Sequence, residues 1–300
     1  MLNRQKALLL FIAAAKRSVS KIELTKWSFM LRHESPSRGG NAFYDFLPYR
    51  YGPFSFCLFQ ELEKLVASNF IEVEGNQITL GKVDFDSDRV PRQVRADIDK
   101  IVARYTNWDH QRLIDYVYES YPCFTVNSIV RRLASRPTAT PAVYTIGYES
   151  QSLDAVLDEL VRSGIRRLVD VRRNPVARRF GFHKSTLQRC SDKVDIEYFH
   201  FPELGIASED RRRLDSQSDY EKLFGRYETT TLQANRDSIA TVSDLIADQA
   251  SALMCMEADP KSCHRSRLAA CISRGTGLPI VHLRAGECLT QKEQESLLRL

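Results

Sequence analysis

No apolar run in this chain approaches the roughly 20 residues that a membrane-spanning helix needs, so no span is expected. The opening MLNRQKALLLFIAAAKRSVSK imitates a secretion signal, basic and then apolar. Leu8, Leu9, Ile12 and Ala15 nevertheless share one helical face and a second patterned helix follows, so a cytoplasmic protein without membrane contact is expected. There is no CxxC or HxxxH pair, the usual spacing of zinc ligands, and no internal repeat or low-complexity tract. A strong charge of one sign is missing too: at +5 the net charge alone does not argue for a nucleic-acid partner. Cysteine is present in odd number, at 57, 123, 190, 255, 263, 271 and 288. Such scattered residues in a chain of this size suggest reduced thiols rather than a disulfide framework.

What is present reads as a folded chain of about two domains, with 43% hydrophobic and 27% charged residues among 300. Helical periodicity covers 4–16. Ser20 and Glu23 form a capping box for a second helix through Trp27, Phe29, Met30 and Leu31. An aromatic, proline-punctuated loop is expected over 41–54, and a third helix over 55–68. FIEVEGNQITL alternates around Gly75-Asn76, a hairpin signal. Three helices and a hairpin are the order of a winged helix, which serves either DNA or proteins. The third helix carries Glu61 and Glu63 against Lys64, which weighs against DNA contact there. Helices expected within 90–134 form a bridge, and ASRPTATPA (134–142) marks a boundary. The expected division is a winged-helix-like domain over 1–88, a helical bridge and linker over 89–141, and an α/β domain over 142–300.

The second half changes rhythm. VYTIG (143–147), RRLVDV (166–171), IEYFHF (196–201), ALMCME (252–257) and PIVHL (279–283) are strand-like runs separated by helical stretches. The fold class is therefore α/β: a mostly parallel C-terminal sandwich preceded by the winged-helix domain. Ligands of such sheets bind beyond the carboxyl ends of the strands. Those ends carry Tyr148; Asp170, Arg172, Arg173 and Asn174; His200 and Glu203; and Cys255, Glu257, Asp259, Cys263, His264 and Arg265. Each has an ordinary structural use, as a cap, ion pair or small core residue. Together they suggest a pocket. Between Val171 and Ser191 the basic residues Arg172, Arg173, Arg178, Arg179, Lys184 and Arg189 meet no acid, and Phe180, Phe182 and His183 interrupt them.

These residues carry a resemblance. VDVRRNP…RRFGFHK and LMCMEADPKSCHRS, set in the pattern from YTIGY to PIVHL, resemble the bacterial domain-of-unknown-function family DUF488 over about 143–285. The resemblance implies a fold and a pocket, without a settled reaction. Where that family often has a second glycine after Leu-Gly, this chain has Ile206.

Three chemistries compete. A two-metal nuclease needs converging carboxylates, and Asp170, Glu203 and Glu257 follow no recognised metal spacing. Cys255, Cys263 and His264 make a partial zinc set, but adjacent side chains normally diverge, so no metal and no cofactor is expected. A rhodanese-like thiol at a helix start is the second candidate; the acidic loop with Glu257 and Asp259 opposes a low thiol pKa. The third is metal-free hydrolysis of an N-glycosidic bond in DNA, whose cationic sugar one carboxylate stabilises. In this leading expectation Asp170 is the catalytic acid, with Glu257 in reserve and His200 beside it. Tyr148, Phe180, Phe182 and His200 hold an extruded base. Arg172, Arg173, Asn174, Arg178, Arg179, His183, Lys184, Cys255, Cys263, His264 and Arg265 complete the binding set, the basic ones on phosphates. The alternative is a non-enzymatic DNA-binding regulator whose α/β half senses a nucleotide or small ligand. A role in phage defence rests on the domain pairing by analogy.

Overall fold

The computed structural model describes residues 1–211 and 217–285; Cys288, counted above as a thiol, lies outside them. The chain divides into two compact units, the first Met1–Ser135 and the second beginning at Arg136. Among the described residues no helix is long and apolar enough to cross a membrane.

The first unit runs α1 (Asn3–Ala15), β1 (Val19–Ser20), α2 (Lys21–Glu34), β2 (Leu47–Tyr49), β3 (Gly52–Phe54), α3 (Phe56–Ala67), β4 (Ile71–Glu74), β5 (Gln77–Leu80), α4 (Arg92–Tyr105) and α5 (His110–Ser120). The Ser20 hydroxyl caps α2 by accepting from the Glu23 amide, and the Glu23 carboxylate accepts in turn from the Ser20 amide. Ser55 caps α3 through the Leu58 amide. β1, β5 and β4 form an antiparallel sheet in that order.

Three expectations change here. The 41–54 loop closes into the ribbon β2–β3, in which Pro48 faces Pro53; neither proline donates to a ladder, so an isolated two-stranded ribbon accommodates both. The helices expected to bridge the domains do not bridge. α4 buries Val94, Ile98, Ile101, Val102 and Tyr105 in the same core as Leu8, Phe11, Leu24 and Trp27 of α1 and α2, because a helix with so wide an apolar face must cover something. Residues 126–134 form no helix: the Ser128 and Thr125 hydroxyls take the amides of Val130 and Leu133, which a helix would have used.

Lys26 of α2 is buried, donating to the carbonyls of Tyr51 and Pro53. Burial pushes its ammonium down to about 7. Two acceptors match the two N–H groups of a neutral amine. The folded pKa lies below the unfolded one, so between about pH 7 and 10 the unfolded chain binds the extra proton and stability rises with pH. Unfolding midpoints should climb across that window, and Lys26→Met should flatten the rise. The linked free energy is roughly 5 kcal/mol.

The second unit runs β6 (Val143–Gly147), α6 (Leu153–Arg162), β7 (Arg167–Asp170), α7 (Lys184–Asp192), β8 (Glu197–His200), α8 (Gln217–Thr229), α9 (Thr231–Ala234), α10 (Arg236–Asp248), β9 (Ser251–Cys255), α11 (His264–Thr276) and β10 (Ile280–Leu283). All five strands are parallel, in the order β10-β6-β9-β7-β8. Strands flanked by helices need both faces apolar, which is why each reads as a short aliphatic run. From β7 the chain moves on to β8, while from β9 it crosses back past β6 to β10. The loops leaving β7 and β9 therefore part in opposite directions and open a crevice between them.

Candidate functional site

The alternation of strand residues sends the two sides of that crevice to opposite faces of the sheet. Val169, Val171, Leu253 and Cys255 lie in one cluster with Phe224, Tyr227, Val242 and Leu268 of α8, α10 and α11. Asp170 points the other way, level with Met254 and His200.

On its face Asp170 is fully engaged. Arg172 donates from Nε and its amide to Oδ1 (2.8 and 3.1 Å) and from a terminal nitrogen to Oδ2 (2.6 Å), and the Tyr198 hydroxyl donates to Oδ2 at 2.6 Å. The remaining Arg172 nitrogen donates to the Tyr148 hydroxyl and the Phe182 carbonyl. Asp170 is 0% and Arg172 5% exposed. Burial alone would lower the Arg172 pKa, but the Asp170 carboxylate outweighs it and holds the guanidinium above its usual range. Burial, then the charge of Asp170, pushes the Tyr198 phenol up. Both carboxylate oxygens are committed to this buried clamp, with none of the side chain open to an incoming substrate. Asp170 and Arg172 thus move from the expected catalytic and phosphate-binding roles to a positioning one.

Tyr148 and Phe182 also change role. Their rings stack on one another with centroids 4.1 Å apart and 13° between planes, and both are buried, so neither presents a face to an incoming base. His200 donates from Nε2 to the Arg172 carbonyl, and its Nδ1 faces the Lys184 ammonium at 3.1 Å. It braces the turn after β7. The exposed part of the basic segment is Arg173, Asn174, Arg178, Arg179, His183 and Lys184, with Phe180 half-buried.

The other face holds the second cluster. Cys255 ends β9, Cys263 is the N-cap of α11, and His264 is that helix's first residue. The expectation that Cys263 and His264 diverge fails because Cys263 has extended φ/ψ of −132° and 137° while His264 is already helical. The chain turns between them, and the donor atoms of Cys255, Cys263 and His264 all lie within 4.8 Å of one another. Oε2 of Glu257 accepts from the Cys255 thiol at 3.2 Å and the Cys263 thiol at 2.9 Å. Nε2 of His264 donates to the Val171 carbonyl at 3.1 Å, and its Nδ1 faces the Cys255 sulfur at 3.7 Å. Burial, then the hydrogen bond and charge of Cys255, raises the Cys263 thiol well above the usual cysteine range. A buried thiol against a carboxylate is the reverse of an activated nucleophile.

Glu257 is held by its backbone. The Met256 carbonyl accepts from the amides of Tyr148 and Glu149, the Glu149 carboxylate accepts from the Ala258 amide, and Arg265 donates to the carbonyls of Glu257 and Ala258. Arg265 is 1% exposed, so it fixes this loop instead of meeting a ligand. Gly147 completes the support: a Cβ there would stand 2.0 Å from the Glu257 carbonyl oxygen.

Glu257 and His264 form one wall of a cavity of about 290 Å³ closed by Ile206, Tyr220, Leu223, Phe224, Met256 and Ser262. Tyr220 and Phe224 lie outside the candidate residues read from the sequence, where 217–249 is polar, yet Tyr220, Phe224 and Tyr227 recur at helical spacing and mark one aromatic face of α8. Ile206 lines the cavity. Its neighbour Gly205 lies so close to the Arg173 amide that a Cβ would stand 2.2 Å away. That contact ties the cavity rim to the exposed basic segment.

No curated protein and no solved structure matches the chain. A family model does, over residues 152–272, from the start of α6 into α11 and across every clamp and cluster residue from Asp170 to Arg265. The model that matches these residues is described as "Domain of unknown function DUF488".

Proposed function

We propose that the second unit is a DNA-acting hydrolase that takes one base into the cavity beneath α8 and cleaves its N-glycosidic bond, with Glu257 as the working carboxylate. The observation that carries this reading is the position of Glu257, an acidic residue that lines the same cavity as Tyr220 and Phe224. The cavity is at the small end of the roughly 300–1,000 Å³ typical of ligand sites, a size for a single flat ring system beside the aromatic face of α8. Water attacks C1′ of the sugar and gives a proton to Glu257; the C1′–N bond breaks, the base leaves with its electron pair, and Glu257 passes that proton on to the departing base. The same negative charge stabilises the cationic sugar in the transition state.

Arg173, Arg178, Arg179 and Lys184, exposed beside the rim, supply the phosphate contacts. Each removed should lessen the salt slope of DNA binding by about 1. We read the first unit as a winged-helix-like, DNA- or protein-contacting module whose third helix is not the main anion contact, since α3 exposes Glu63, Lys64, Val66 and Ala67. A role in phage defence is the setting in which modified bases would be met.

The test is incubation with plasmid and phage DNAs carrying natural base modifications, read by alkali-sensitive breaks and by mass spectrometry of released bases. Released base is expected, falling at least about 100-fold in Glu257→Gln, the scale on which a positioned acid–base group acts. A base altered but not released, or tight DNA binding with no turnover, would reject glycosidic cleavage; the second result would leave the ligand-sensing regulator.

A further inference from the structure

We propose that Cys255, Cys263 and His264 bind a divalent cation of the zinc class through Sγ, Sγ and Nδ1, with Glu257 on the fourth side facing the cavity. This reverses the expectation of no metal drawn from spacing. Metal binding itself does not depend on the reaction proposed above.

The argument is geometric. Zinc–sulfur bonds of about 2.3 Å and zinc–nitrogen bonds of about 2.0–2.1 Å place tetrahedral ligand atoms roughly 3.6–3.8 Å apart. Cys255 Sγ and His264 Nδ1 are 3.7 Å apart, and all three donor atoms fall within 4.8 Å. Shifts of side-chain rotamers alone would close the remaining gap. The histidine is already oriented for ligation, because its Nε2–H is spent on the Val171 carbonyl and the lone pair of Nδ1 is turned toward the sulfurs. A backbone carbonyl on the far nitrogen is the usual outer partner of a metal-ligating imidazole. The donors arise from three supports, the end of β9, the cap of α11 and its first turn, and the loop between them is tied at Met256, Glu257 and Ala258.

Two thiols and an imidazole match a soft-to-borderline cation and do not suit magnesium or calcium, which take oxygen ligands. Binding displaces both thiol protons and leaves the bound cation with a net charge of zero before Glu257 is counted. Three protein donors leave one tetrahedral position, the arrangement of a catalytic rather than a closed structural site. Glu257 Oε2 lies 2.9 and 3.2 Å from the two sulfurs, and Glu257 also lines the cavity. A water on the cation would meet a carboxylate able to accept its proton, the pairing of a Cys₂His-bound metal with a non-ligating Glu.

The experiment is metal analysis of the full chain, purified without chelator, by inductively coupled plasma mass spectrometry, followed by exchange to Co²⁺ and absorption spectroscopy. The expected result is about one equivalent of zinc per chain and a Co²⁺ spectrum with thiolate charge-transfer bands of tetrahedral type. Cys255→Ser and Cys263→Ser should bring metal to background, while Glu257→Gln and the remote Cys190→Ser retain it. Wild-type protein that holds no zinc after loading and dialysis, or Co²⁺ without thiolate bands, would overturn the site whether or not the variants fold. Loss of metal in Glu257→Gln as complete as in the cysteine variants would overturn the three-ligand assignment. Metal bound with no base release would leave this site standing and remove the proposed reaction.

Discussion

Asp170→Asn should unfold the second unit 6–20 °C earlier than wild type, as roughly 3–5 kcal/mol of stability is lost. Asp170 and Arg172 are both buried and joined by a two-pronged charge pair. Their mutual attraction has to offset the desolvation of both ions, so the pair contributes little net stability while either member alone is costly. The asparagine leaves the Arg172 guanidinium charged and buried with the Tyr148 hydroxyl and the Phe182 carbonyl as its remaining neutral acceptors. A loss of 3–5 kcal/mol is a large share of the 5–15 kcal/mol typical of a domain, and at this size each kcal/mol moves the midpoint about 2–4 °C. The apolar double variant Asp170→Leu with Arg172→Met should recover most of the loss, because no charge is then stranded. If Asp170→Asn melts like wild type but abolishes base release, Asp170 is a catalytic acid and its positioning role is wrong. Calorimetry of Asp170→Asn and the double variant, with base release measured on the same proteins, separates these outcomes.

Gly147→Ala is expected to disable the site by displacing the backbone that carries Glu257. The added methyl would stand 2.0 Å from the Glu257 carbonyl oxygen and 3.1 Å from an Arg265 nitrogen. The first of these is backbone, which cannot swing aside, so the 256–258 loop must move. Overpacking of this kind costs about 1–3 kcal/mol. The functional effect should be larger, since a displacement near 1 Å of a reacting group lowers rates about 100-fold. Bound metal should fall as well, which gives a readout independent of the substrate. Gly225 in α8 has no atom within 4 Å of its would-be Cβ, and Gly225→Ala, the matched control, should be neutral or stabilising by up to about 1 kcal/mol through helix propensity. Equal activity and metal content in Gly147→Ala and wild type would show that the loop is not held as tightly as its hydrogen bonds indicate.

Much of the fold is legible in the sequence because it rests on local signals. The five aliphatic runs of the second half coincide with β6, β7, β8, β9 and β10, and the Ser20–Glu23 box starts α2 where the spacing says it should. What is not legible depends on which neighbours a strand acquires. Nothing local says that β9 enters between β6 and β7, and only that placement brings Cys255 and Glu257 beside Val171. The strand period does imply that Asp170 and Cys255 face opposite ways once their register is known, but the register is a tertiary fact. Tyr148 and Phe182 read as candidate base-stacking rings because aromatic residues near a strand end look alike whether they stack on a ligand or on each other. Cys263 and His264 read as divergent because adjacency alone does not reveal the N-cap between them, where the backbone changes from extended to helical. The aromatic face of α8 is visible as a period but is obscured by the polar residues around it.

The order β10-β6-β9-β7-β8 also has a consequence for how the domain emerges from a ribosome. β6 and β7 are made early, yet neither pairs with the other; each is hydrogen-bonded to β9, and β6 otherwise only to β10. Until Ser251–Cys255 has been synthesised, β7 and β8 can pair while β6 keeps both edges bare. The nascent domain therefore carries unpaired strand edges through more than 100 residues of synthesis, from Val143 to Ser251, a state prone to wrong pairing. The strand that closes the sheet is also the one that delivers Cys255 and leads into Glu257, so structure and site are completed by the same late step.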